Sequence, residues 1–179
     1  DGKSPQGPPQ SAGGWIPALE ESIQGEKTGY KAAEFKDRFW EDVKEGEELP
    51  RLFMPITLAR CVYLVSATRD FAPPHFDIDF AKNRSKAKDA FVNTSFNMGM
   101  VTRFMTDWAG PKSTVRKLKV NMRQNVCVGD DMVITGKVIR KYVEEGDHRV
   151  DLDIMISTQD GPATPCDGTL SLPSRSADG

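Results

Sequence analysis

Residues 94–109 read TSFNMGMVTRFMTDWA, and this stretch decides the fold. Phe96, Met98, Met100, Val101, Phe104, Met105 and Trp108 cover most of a helical circumference. A helix apolar nearly all round belongs in a core. Gly99 at its middle costs stability and admits close approach by a neighbour, and Gly110-Pro111 ends it. Downstream the period switches to two. Leu118, Val120 and Met122 alternate with Lys117, Lys119, Asn121 and Arg123. Met132, Ile134 and Val138 carry a second strand to Val143. Val150, Leu152, Ile154 and Ile156 alternate with Asp151, Asp153, Met155 and Ser157, and Thr169 to Leu172 closes the set. Turns fall at Glu145-Gly146-Asp147 and Asp160-Gly161. Strict alternation predicts a sheet with one buried face, in antiparallel meander order. One buried helix with a curved antiparallel sheet around it is an α+β architecture.

Upstream, residues 1–14, DGKSPQGPPQSAGG, carry no large apolar side chain. They bury too little to offset the cost of ordering and are predicted to be a flexible arm. Trp15, Ile16, Leu19 and Ile23 fall at helical spacing, so residues 15–35 are predicted to be a helical extension. The main domain is assigned to 36–173, and 174–179 to a flexible tail. Within the domain, Phe39 to Gly46 reads as a short strand ending at a glycine turn. Pro50 to Pro55 reads as an edge-like extended stretch. Thr57 stands where an N-cap belongs, ahead of a helix from Leu58 to Thr68. A proline-broken loop, Asp70-Phe71-Ala72-Pro73-Pro74-His75, follows. A short helical pattern around Asp79 to Ala81 comes next, then a basic stretch from Lys82 to Lys88.

The chain has 179 residues, which fits one core. Lys and Arg number 24 against 26 Asp and Glu, a net charge of -2, so nothing global points to nucleic acid or an anionic membrane. Cys61, Cys127 and Cys166 are scattered and no CxxC is present. A disulfide scaffold and a zinc site are therefore not expected, and reduced thiols fit a cytoplasmic protein. No apolar run approaches the ~18 residues of a membrane span.

Only two histidines are present, His75 and His148. His148 lies in the polar turn EEGDHR and reads as a solvated loop residue. His75 follows two prolines that fix the backbone, with Asp70 five residues before it. Such a loop can hold both groups toward one point. Asp and His together can deprotonate a water and return a proton. The competing reading is a loop histidine beside a helix cap.

From Phe39 to Leu172 the chain resembles the MaoC-like hydratases, the branch of the hot-dog fold that includes (R)-specific enoyl-CoA hydratases. That family carries Asp-x-Asn-Pro-x-His with an Asp two residues on. Here Asp70, Pro73, His75 and Asp77 hold those places, and Ala72 replaces the Asn. The segment FVNTSFNMGMVTRFMTDWAGP, followed by VRKLKV, further resembles the small subunits that hydrate steroid side-chain enoyl-CoAs in bacteria.

The resemblance implies hydration of a trans-2-enoyl-CoA to the (3R)-3-hydroxyacyl-CoA. Asp70 and His75 would share the added water. Donors at the start of the long helix, around Asn93 and Thr94, would meet the thioester oxygen, where first-turn N–H groups lack internal partners. Arg84, Lys86 and Lys88 are candidates for the CoA phosphates, or else a solvated loop. No cofactor or metal is implied, because the CoA thioester is itself the substrate. A hot dog exposes a sheet edge, so a homodimer, or a heterodimer with a second MaoC-like chain, is expected. The alternative is a non-catalytic acyl-CoA-binding subunit of a mixed complex, which the loss of Asn at Ala72 favours. Asp107 is the only acidic residue on the helix and lies near its end, which argues against a thioesterase.

Overall fold

The computed structural model describes residues 36–178. The predicted arm over 1–14 and extension over 15–35 lie outside the described residues. The order is a 3-10 turn at Trp40–Asp42, β1 (Leu52–Pro55), α1 (Leu58–Thr68), a 3-10 turn at Pro73–His75, α2 (Ile78–Asn83), α3 (Thr94–Ala109), then β2 (Thr114–Val120), β3 (Asp131–Glu144), β4 (Asp147–Thr158) and β5 (Gly161–Ser171). All the strands form one antiparallel sheet in the order β1-β3-β4-β5-β2.

The α+β prediction holds, and α3 spans the residues whose pattern announced it. Its inward face is Asn97, Met100, Val101, Phe104, Met105, Trp108 and Ala109. Its apolar side chains join Ile134, Val138, Val150, Leu152, Ile154, Ile156, Cys166 and Leu170 in a single core. Two glycines let the helix sit close to the sheet. A Cβ on Gly136 would lie 2.8 Å from Phe104 Cε1, and one on Gly168 would lie 2.6 Å from Met105 Cε.

Several expectations are corrected. The helix is not enclosed all round: Met98 is exposed, and Arg103 and Asp107 pair on the outer side. A single curled sheet covers only one side of a helix. The sheet is not a plain meander either. Strands β3, β4 and β5 follow one another, but β2 lies at the far edge against β5. Alternation fixes which face of a strand is buried, not which neighbour it takes. Residues 121–130 carry the chain back across, through Asn121 N–H to Pro165 O and Gly129 N–H to Ile56 O.

The predicted strand at Phe39 to Gly46 is instead the short 3-10 turn, held by Trp40 Nε1 donating to Arg149 O. The first residues assigned to the tail are docked: Ser174 is buried and Arg175 pairs with Asp42. Thr57 caps α1 as expected, its Oγ1 accepting from Arg60 N–H. Among the described residues no helix is long and apolar enough to cross a membrane.

Candidate active site

Helix α1 ends at Arg69, whose φ of 56° turns the chain sharply and delivers Asp70. Pro73 and Pro74 then set the 3-10 turn, with His75 N–H donating to Ala72 O. Proline suits the first positions of such a turn because it has no N–H to satisfy. The His75 ring is held by Phe91. Phe91 N–H donates to Pro74 O, Phe91 O lies 2.8 Å from His75 Nδ1, and the two rings meet edge to face.

A carbonyl only accepts, so Nδ1 carries a proton. In the neutral ring Nε2 is then a bare acceptor. Nε2 lies 3.4 Å from Asp70 Oδ2. His75 is 9% exposed, whereas the Asp70 side chain is 42% exposed. Two acceptors therefore stand side by side at the surface of a rigid loop. A water donating one hydrogen to each would be held with its oxygen lone pairs facing outward.

The start of α3 adjoins this pair. Asn93 is 3% exposed and caps the helix, its Oδ1 accepting from Phe96 N–H at 2.9 Å. Its Nδ2 donates to Asp70 Oδ2 at 3.0 Å and to Thr68 Oγ1 at 2.9 Å. Sequence reasoning missed this engagement, because nothing in the local pattern links residue 93 to residue 70. Thr94 is exposed, with Oγ1 3.0 Å from Met122 Sδ. Asp77 caps α2 and accepts from Phe80 N–H.

The basic stretch divides. Lys88 Nζ lies 2.8 Å from Asp130 Oδ1 and 2.6 Å from Asp160 Oδ2, so it serves the fold rather than standing free for phosphate. These carboxylates hold its ammonium charged well beyond the usual range for lysine. Asp130 is buried and also accepts from Cys127 N–H and Gln159 Nε2. Lys82 pairs with Asp89. Arg84 and Lys86 are exposed, and their side chains meet no described partner. His148 is not the solvated loop residue expected: it lies in β4, opposite Val143, half-buried with its ring edge-on to Trp40, because the turn closes at 145–146, before it. No cluster of three potential metal ligands occurs among the described residues.

A sheet curled about a central helix, with an Asp/His loop at the helix start, defines a class, and comparison with known proteins agrees. No family model matches. The 3-oxo-4,17-pregnadiene-20-carboxyl-CoA hydratase beta subunit of Mycobacterium tuberculosis is 33% identical over 93 residues, covering 52% of this chain and 71% of that one. The chain belongs to the MaoC-like hydratase family of hot-dog proteins. Among solved structures, the ChsH1-ChsH2 complex from Mycobacterium tuberculosis matches with a TM-score of 0.66 and 27% identity, over 73% of this chain and 98% of that one. The R-hydratase PhaJ1 from Pseudomonas aeruginosa shares the fold, with a TM-score of 0.68 at 16% identity over 78% of this chain and 88% of that one.

Proposed function

We propose that this chain adds water across the C2=C3 bond of a trans-2-enoyl-CoA to give the (3R)-3-hydroxyacyl-CoA. The observation that carries the reading is the convergence of Asp70 Oδ2 and His75 Nε2 at the start of α3. Water held by these acceptors attacks C3, and the pair takes up its proton. A proton is then returned to C2 by the same pair. As C3 is attacked, negative charge builds on the thioester oxygen. The first N–H groups of α3, at Thr94 and its neighbour Ser95, have no partner within the helix and carry the positive end of its dipole.

Arg84 and Lys86 lie exposed on the loop leading from α2 and are free to meet the CoA phosphates. The acyl group is proposed to be bulky and steroid-like, because the curated relative is a hydratase of such a thioester. A second hot-dog chain is proposed as partner, since one structural relative is the ChsH1-ChsH2 complex and β2 is an edge strand of the sheet among the described residues.

The test is loss of enoyl-thioester absorbance over a panel from crotonyl-CoA to a steroid side-chain thioester, with the chain alone and with its co-purified partner. Asp70→Asn and His75→Asn should each lower kcat by about 10²–10⁴-fold with melting nearly unchanged. Variants that remain folded and turn over at the parental rate would overturn the assignment.

A further inference from the structure

Asn93 uses its whole amide. Oδ1 accepts the capping hydrogen bond from Phe96 N–H, and the two Nδ2 hydrogens go to Asp70 Oδ2 and Thr68 Oγ1. Amide orientation is often ambiguous, but here the cap decides it. An N–H can only be met by the oxygen, so the nitrogen must face Asp70. Thr68 is fixed in turn, its Oγ1 donating to Leu64 O at 2.7 Å. Apart from His75 Nε2, Asn93 Nδ2 is the side-chain nitrogen that the structure sets against Asp70. Ala72, within the same loop, has no donor to offer.

We propose that Asn93 is the positioning residue for Asp70, locking its carboxylate in register with the first turn of α3. This rests on the function proposed above. One amide then links the group that holds the water to the helix end that meets the thioester oxygen. The distance between the attacking oxygen and the acyl carbon is set by the cap rather than by the exposed loop. The Asn93 side chain thus acts through Asp70, which leaves the backbone N–H groups of the first turn for the thioester oxygen.

Asn93→Asp and Asn93→Ser separate this role from capping, since Asp and Ser both cap well. Asp keeps the acceptor and loses the donor. Ser keeps a cap but is too short to reach Asp70. Both variants should lower kcat by about 10–100-fold, the scale of a misplaced reacting group, with KM and melting little changed. In Asn93→Asp a second carboxylate stands beside Asp70, with His75 the titratable group opposite and Arg69 preceding it in the chain. Two carboxylates so close resist joint ionisation, so the acid limb of the rate profile should move up by about one pH unit or more.

If Asn93→Asp does not fold, Asn93→Ser decides. Folded variants with parental kcat and an unmoved pH profile would overturn the inference. Inactivity of the unaltered chain with its partner would instead sink the hydratase reading on which it rests.

Discussion

The two glycines under α3 make unequal predictions. At Gly136 a methyl group would meet Phe104 Cε1 at 2.8 Å and Cζ at 3.2 Å, with Ile154 Cγ1 at 3.4 Å. Phe104 is buried and its ring is flat and stiff, so it moves only if α3 moves. Overpacking of that kind costs about 1–3 kcal/mol. For a domain of this size each kcal/mol shifts Tm by about 2–4 °C, so Gly136→Ala should lower Tm by about 2–12 °C. At Gly168 the methyl would meet Met105 Cε at 2.6 Å and Sδ at 2.9 Å, which are the far atoms of a flexible chain. Met105 can swing aside, and removing a glycine also stiffens the unfolded chain by about 0.4–1 kcal/mol in the protein's favour. Gly168→Ala should therefore be close to neutral. Thermal and urea unfolding of both variants, with Phe104→Leu added to each, gives the answer. The smaller side chain should recover much of the Gly136→Ala loss and none of a Gly168→Ala loss. Equal effects at both glycines, or a larger one at Gly168, would refute the reasoning.

Further outcomes follow from buried polar groups and thiols. Asn97 is fully buried on α3 and both its amide atoms lack a hydrogen-bond partner among the described residues, so Asn97→Leu should raise stability by about 1–3 kcal/mol in urea unfolding. Asp130→Ala removes the acceptor for Cys127 N–H, Lys88 and Gln159 and should cost about 2–3 kcal/mol, whereas Asp160→Ala, at an exposed ion pair, should cost about 1 kcal/mol or less. Gly110 has φ +87°, and a Cβ there would lie 2.6 Å from Lys36 O, so Gly110→Ala should destabilise more than Gly136→Ala, read by Tm. Burial pushes the Cys61 and Cys166 thiols up to about 11, and raises Cys127 as well. A raised thiol stays neutral until pH climbs toward that value, so at pH 7.5 a thiol reagent should label none of the three until denaturant is added.

Much of this was legible because it is written in local periodicity. The α3 span and the strand cores need only the spacing of apolar residues, and Thr57 announces its helix by residue type. What depended on distant neighbours was not legible. Lys88 reads as one cation among several until Asp130 and Asp160, far along the chain, are brought against it. Asn93 reads as part of a helix start with free backbone donors, and nothing in the sequence shows that its side-chain amide reaches Asp70. The far-edge place of β2 is hidden because an alternating strand looks the same beside either neighbour. At the Asp70–His75 loop the prolines and the spacing marked the right place, but the tautomer of His75 depends on the Phe91 carbonyl, which no pattern reveals.

The place of β2 also bears on the order of assembly. Hairpins β3-β4 and β4-β5 close through the short turns at 145–146 and 159–160, so they can zip early. Strand β2 emerges before all three, yet its only strand partner among the described residues is β5, the last to be made. Strand β1 waits longer still for β3, across the whole of α1, α2 and α3. Closures over such separations are slow, so α3 must wait with its apolar face uncovered until the C-terminal hairpin arrives. A nascent chain stalled before residue 161 would hold every element of the candidate site and still lack β5, the strand that joins β2 to the rest of the sheet.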